Sequence, residues 1–242
     1  MPQNTFDARV ASQYDEWSAD MFEPGVIEPT VSFLAGLAGD GRALEFGVGT
    51  GRIALPLSRR GVPVHGIDIS EPMVAKLREK PGADAVAVTI GDFTTTNVEG
   101  RFRVVYLVFN TIMNLMTQDE QVACFENAAA HLEPGGCFVI EVGVPDLQRL
   151  PRGVKFQPFS VTPAHLGFDE YDVATQYRAS HHYWIDGERM QVDTGSFRYV
   201  WPSELDLMAR IAGMRLRERW GWWNREPFTS ESTTHVSVWE TG

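Results

Sequence analysis

The segment Ala43-Leu44-Glu45-Phe46-Gly47-Val48-Gly49-Thr50-Gly51-Arg52 runs a short apolar stretch into three alternate glycines. Glycine at such positions lets the backbone take positive φ and lets a ligand approach main-chain atoms with no Cβ in the way. The turn reads as a nucleotide-type cradle. A dinucleotide fingerprint requires a small residue three positions after Gly49, for close helix-to-strand packing, and Arg52 stands there instead. Glu45 argues in the same direction, because a carboxylate beside the turn repels phosphates and attracts a cation such as an ammonium.

Other chemistry-bearing residues are less ordered. Cys124 and Cys137 have neither metal-ligand spacing nor the density of a disulfide scaffold, and read as reduced core residues. His181 and His182 are neighbours on a predicted strand, so they point to opposite faces and do not share a metal. One of them can face a pocket as a base, or both can sit on a hairpin surface. No dedicated metal set such as His-Glu-x-x-His occurs. Trp220-Gly221-Trp222-Trp223 can line a pocket for a flat or cationic ligand, or seal a sheet edge or a dimer contact.

These residues need elements to position them. Short apolar runs at Ala43–Phe46, Val62–Ile67, Ala85–Ile90, Val104–Phe109 and Cys137–Val142 alternate with helical segments, the pattern of strands buried on both faces of a parallel sheet. Ser70 is placed to cap a helix reaching about Lys80, with Pro72 in its first turn. Thr117-Gln118-Asp119-Glu120 matches a capping box, followed by the stripe Val122, Phe125, Ala129 and Leu132 and the stop Pro134-Gly135-Gly136. Residues 43–142 thus read as β-α-β-α-β-β-α-β, an α/β, Rossmann-like doubly wound sheet.

On the N-terminal side, Phe6, Val10, Tyr14, Trp17 and Met21 share the apolar face of a lead-in helix. From Pro145 to about Tyr171 the chain is proline-rich and aperiodic, as expected of a functional loop. Antiparallel signals follow at His181–Ile185, Arg189–Val192 and Gly195–Val200, with Asp186-Gly187 as a hairpin turn. A helix over Ser203–Ala212 and strands over Arg215–Trp220 and Thr234–Glu240 complete the sheet. The expected division is cap helices over 1–40, a core over 41–142, an insert or lid over 143–200 and the closing elements over 201–242.

The 242 residues, 43% hydrophobic and 22% charged, suit one large domain with an elaboration. A net charge of −11 repels phosphate backbones and argues against a nucleic-acid partner. The N-terminal residues lack a basic stretch and apolar run, and no apolar run is long enough for a bilayer, so no membrane partner and a cytoplasmic location are expected.

Glu45-x-Gly47-x-Gly49-x-Gly51 resembles the first motif of class I S-adenosylmethionine-dependent methyltransferases. Asp68, in Val64-His65-Gly66-Ile67-Asp68-Ile69-Ser70, sits where that family places an acid on the ribose hydroxyls. Gly91-Asp92-Phe93 resembles the motif that receives adenine, and His131-Leu132-Glu133-Pro134-Gly135-Gly136 resembles the turn before the fifth strand. The likeness covers roughly 8–142 and the final elements, and its layout is similar to the small-molecule branch that includes amino-sugar N,N-dimethyltransferases. It implies a seven-stranded sheet with six parallel strands and the last antiparallel, an antiparallel insert after strand five, and S-adenosyl-L-methionine as cofactor with S-adenosyl-L-homocysteine as product.

The implied cofactor residues are Tyr14, Glu45, Gly47, Gly49, Gly51, Arg52, Asp68, Ile69, Met73, Asp92, Phe93 and Val108. Glu45 is expected near the methionine ammonium through the glycine turn, and Arg52 either holds the methionine carboxylate or stands solvated. Residues opposite the methyl would come from Asn110, Asn114, Tyr14, Trp17 and the insert, with Tyr14, Asn110 and His182 as catalytic candidates. An amine acceptor needs no strong base, whereas a hydroxyl would bring in His181, His182 or His235. The expected reaction is methyl transfer to an N or O atom of a small molecule, with a homodimer left open. The alternatives are a nicotinamide-dependent oxidoreductase, against which Arg52 argues, and a non-catalytic S-adenosylmethionine-binding protein.

Overall fold

The computed structural model describes residues 6–148 and 150–242. Helices α1 (Ala8–Trp17) and α2 (Pro24–Ala38) lead into β1 (Ala43–Phe46), α3 (Ala54–Arg59), β2 (Val64–Asp68), α4 (Glu71–Arg78), β3 (Val86–Ile90), β4 (Phe102–Leu107), α5 (Gln118–His131) and β5 (Leu132–Gly143). An insert follows as β6 (Phe156–Val161), β7 (His165–Asp172), β8 (Tyr177–Asp186) and β9 (Arg189–Arg198), and α6 (Pro202–Ile211), β10 (Met214–Trp220) and β11 (Thr234–Thr241) close the order. The main sheet runs β10-β11-β5-β4-β1-β2-β3, with β11 wedged antiparallel between β10 and β5 and every other strand parallel. Among the described residues no helix is long and apolar enough to cross a membrane.

Period-two burial builds a core on both faces. Val105 and Leu107 of β4 and Phe138, Ile140 and Val142 of β5 point to the α5/α6 side, where Phe125 meets Phe138 at 5.0 Å and Trp239 at 5.2 Å between ring centroids. Val104, Tyr106, Cys137 and Val139 point to the other side, against Leu34, Leu57 and Leu77. The caps form where the side chains require them. Ser70 Oγ accepts from Met73 N–H, and Thr117 and Glu120 exchange both bonds of the capping box at 3.1 Å.

Four expectations are corrected. The stretch 145–171 is not aperiodic throughout: it contains β6 and β7. Pro158 had hidden them, and it is tolerated because β6 is the edge of the second sheet, where a missing N–H leaves no ladder bond unmade. The runs at Arg189–Val192 and Gly195–Val200 are largely one strand, β9, whose Gly195 gives room to the Phe197 ring; a Cβ there would lie 2.7 Å from that ring. Strand β4 stops at Leu107, because Phe109 and Asn110 take left-handed φ of 58° and 59°. Trp17 does not join the apolar face of α1; it is 47% exposed, and Ala11 is the buried residue of that helix.

The second sheet, β6-β7-β8-β9, is antiparallel throughout. Its register sets Gln157 opposite Asp169, Tyr171 opposite Arg178, and Gly167 opposite His182, so these side chains share one face. Where β9 returns to the core, the buried Arg198 guanidinium donates to Gln121 Oε1, to Gln176 Oε1 at 3.2 Å and to Glu204 Oε1 at 2.7 Å. Those partners lie on α5, on the turn before β8 and on α6, so one cation ties the insert to two helices of the core. The tryptophan loop is structural: Trp223 is buried edge-on against Phe33 at 5.4 Å, and Trp220 Nε1 donates to Glu218 at 3.0 Å.

Candidate active site

At the C-terminal edge of the parallel strands the chain leaves β1 through Gly47, Gly49 and Gly51, whose φ angles are 69°, 54° and 81°. The space beside them is taken: a Cβ on Gly47 would lie 2.9 Å from Thr111 Cγ2, and one on Gly51 would lie 2.9 Å from Leu77 Cγ. Asp68, at the end of β2, anchors the turn, its two oxygens accepting from Gly49 N–H at 2.7 Å and from Ser70 N–H at 2.8 Å. Burial pushes its carboxyl upward, and those two amides oppose the shift. Half-buried Ile69 follows it, and buried Met73 of α4 lies beside Gly49.

Beneath the turn Glu45 is buried and accepts from the Tyr106 hydroxyl at 2.9 Å. Burial pushes its carboxyl up to about 8, against the pull of Tyr106 and Arg52. The Arg52 guanidinium lies 4.9 Å over the Phe109 ring and donates to Met21 O at 3.3 Å. Tyr14 projects from α1 into the same field; burial raises its hydroxyl pKa, with Arg52, Asp15, Asp68 and Glu45 close enough to act on it. Helix α1 is tied down over the turn by Asp15, which accepts from Thr50 Oγ1 at 2.6 Å and pairs with Lys80, and by Phe6 O, which accepts from Ser70 Oγ at 2.5 Å. On the far side Asp92 Oδ1 accepts from Thr94 N–H at 2.9 Å, and Phe93 stacks on Phe46 at 5.5 Å.

Beyond buried Val108, the left-handed pair Phe109 and Asn110 turns the chain sharply. Glu141, buried in β5, holds that turn: its Oε2 accepts from Phe109 N–H at 2.6 Å. Asn110 Oδ1 accepts from Gly143 N–H at 2.7 Å and fixes the side chain at the mouth of a cavity of about 300 Å³. The insert sheet roofs this cavity with Gln157, Phe159, Asp169, Tyr171 and Arg178. His182 stands behind Phe159, 5.1 Å between ring centroids, with its Nδ1 3.1 Å from His165 Nε2, and does not line the cavity. His181 occupies the opposite face, 3.5 Å from Glu170. Among the described residues no three His, Cys, Asp or Glu side chains come together as a metal-ligand set.

A family model described as a methyltransferase domain matches residues 43–136. The chain is 38% identical to the CcbJ methyltransferase from Streptomyces caelestis, whose solved structure agrees with a TM-score of 0.87 over 98% of each chain. It belongs to the class I S-adenosylmethionine-dependent methyltransferases. This methyltransferase is also 29% identical over 245 residues to the cypemycin N-terminal methyltransferase of Streptomyces sp, across 95% of this chain and 98% of that one. Likeness of fold extends to CalS10, an amino pentose methyltransferase from Micromonospora echinaspora, at 22% identity and a TM-score of 0.68, covering 88% of this chain and 89% of that one.

Its cofactor is S-adenosylmethionine. The residues fit that group. The glycine turn has no room for side chains, and each Asp68 oxygen has taken one amide hydrogen and keeps a lone pair for a diol. Gln157, Asp169 and Arg178 belong to no local motif of the methyltransferase sequence. Glu141 carried a signal there, as a lone carboxylate next to the apolar run Cys137–Ile140.

The protonation of Glu45 yields a stability prediction. Its folded-state pKa lies above the usual carboxylate value, so the folded chain holds this proton more tightly than the unfolded chain does. The associated stability is complete below about pH 4.5 and is lost as pH rises to about 8. Calorimetry of the cofactor-free methyltransferase should show the melting temperature falling across this window, and Glu45→Gln should flatten the fall. An equal slope in the variant would assign the dependence to other groups.

Proposed function

We propose that the methyl acceptor is an amine of a small molecule, bound in the cavity between Asn110 and the insert sheet. The observation that carries this reading is the make-up of the wall: Asp146 and Asp169 line it, and no histidine does among the described residues. His235, the remaining candidate base, is buried in β11 beside Ser237 at 2.8 Å, and burial pushes its imidazole down to about 3. A hydroxyl acceptor would need a base at that place, and the carboxylates there are weak bases toward an alcohol proton. An amine is drawn in as its ammonium by the carboxylates, becomes the nucleophile once it has given its proton to one of them or to water, and needs no stronger base than that. The cavity, at about 300 Å³, and the net charge of −11 suit a small neutral or basic molecule better than a nucleic acid. The cypemycin enzyme's N-terminal specificity and the amino pentose specificity of CalS10 support the same direction.

Bound S-adenosylmethionine supplies an electrophilic sulfonium methyl, and the chain supplies position and dryness. In this reading Asp68 takes the ribose diol, and Asp92 and Phe93 receive adenine with Val108 and Ile69 beside it. Gly47, Gly49, Gly51 and Met73 shape the turn, while Tyr14, Arg52 and Glu45 attend the methionine end. Asn110, locked by Gly143 and Glu141, orients the acceptor. His182 acts as a supporting ring behind Phe159 and not as a base. The test is product analysis by mass spectrometry after incubation with S-adenosylmethionine and amino alcohols: N-methylated products are expected, and exclusive O-methylation would refute the amine reading.

A further inference from the structure

The described residues contain five buried side-chain polar atoms without a partner inside the protein, and three of them, Gln157 Oε1, Asp169 Oδ1 and Arg178 Nε, belong to residues that line one cavity. The other two, on Glu218 and His235, lie away from it. Strand register explains the clustering. Gln157 and Asp169 are cross-strand partners on β6 and β7, Arg178 is the partner of Tyr171 on β8, and alternation turns all four side chains to the same face. Their mutual contacts are loose. Arg178 Nη1 stays 3.9 Å from Asp169 Oδ2, which accepts only a long 3.3 Å bond from the Tyr171 hydroxyl. The Arg178 guanidinium is held over the Phe197 ring at 4.9 Å. Buried polar groups are normally satisfied, so cavity-lining residues that keep two acceptors and one donor unpaired are complementary, once their side chains turn to meet it, to a group with two donors and one acceptor.

We propose that Gln157, Asp169 and Arg178 read the methyl acceptor. The acceptor then carries, beside its amine, a neutral group that donates two hydrogen bonds and accepts one: a carboxamide or a vicinal pair of hydroxyls. A carboxylate would bring a second negative charge beside the Asp169 carboxylate, and a plain alkyl group would leave all three atoms unpaired. This inference rests on the acceptor occupying the cavity named above.

The experiment measures S-adenosylhomocysteine formation by the full chain with four probes at equal concentration: L-alaninamide, 3-amino-1,2-propanediol, L-alanine and isopropylamine. Turnover of the amide or the diol at a kcat/KM at least about tenfold above both other probes is expected, and which of the two is used identifies the source of the shared chemistry. Asp169→Asn and Gln157→Leu should each reduce that kcat/KM by about tenfold or more through KM, because they remove binding common to ground and transition states. S-adenosylhomocysteine affinity by calorimetry should stay within about twofold in both variants. Equal use of isopropylamine or L-alanine, no turnover of any probe, or unchanged KM in Asp169→Asn would overturn the proposal, as would loss of S-adenosylhomocysteine binding in both variants. O-methylation of the aminopropanediol that still depends on Asp169 would refute the amine reading and leave this inference standing.

Discussion

Replacing Asp68 by alanine is expected to weaken S-adenosylhomocysteine binding by about a hundredfold or more. The carboxylate fixes the glycine turn through Gly49 and Ser70, and in the proposed cofactor site its remaining lone pairs take the ribose hydroxyls. Hydrogen bonds to a charged group are worth ~1.5–3 kcal/mol each, and every ~1.4 kcal/mol is a factor of ten in affinity. Losing the diol contacts and leaving two turn amides without their acceptor therefore reaches about two decades. Asp68→Asn keeps the shape and one acceptor oxygen and should fall between. Isothermal titration, with circular dichroism to confirm the fold, decides the matter. An affinity for Asp68→Ala within threefold of the parent would remove Asp68 from the cofactor site.

The second large effect concerns stability. Arg198→Ala is expected to destabilise the chain by roughly 3–5 kcal/mol, because removing one partner of a buried ion pair leaves the other without compensation. Arg198 and Glu204 have side chains 5% and 15% exposed, so water cannot replace the lost partner readily. Burial pushes Glu204 upward, yet hydrogen bonds from Gln118, Gln176 and Arg198 hold it below the usual carboxylate range. Urea denaturation measures the loss, and a change under about 1 kcal/mol would mean that the insert is not pinned there. Changing both partners together, Arg198→Met with Glu204→Leu, should recover much of the deficit, since apolar side chains of similar volume can replace a buried pair.

How far the sequence could be read depended on whether a pattern was local. The strands β1 to β5 declared themselves because burial on both faces leaves continuous apolar runs, and the Thr117 cap because its two partners are three residues apart. The glycine turn and Asp68 were legible for the same reason. Phe109 and Asn110 were not, since Asn tolerates the left-handed region but nothing marks Phe for it, and the bonds that hold the turn come from Glu141 and Gly143 of another strand. The insert was half legible: its one-sided exposure and its edge proline broke the strand signal in β6 and β7. Gln157, Asp169 and Arg178 become one wall only through the register of three strands, and register between strands cannot be read from any single one.

The position of β11 sets an order of assembly. Strand β5 finds its antiparallel neighbour only in Thr234–Thr241, about ninety residues downstream. At ribosomal rates of ~5–20 residues per second, the β5 edge stays bare for roughly five to twenty seconds of synthesis. An unpaired strand edge is a template for intermolecular pairing, and Cys137 to Val142 is among the most apolar stretches of the chain. The nascent cofactor-binding half therefore leaves the ribosome with a sticky flank, and yield on expression should depend on how well chaperones shield it until the tail arrives.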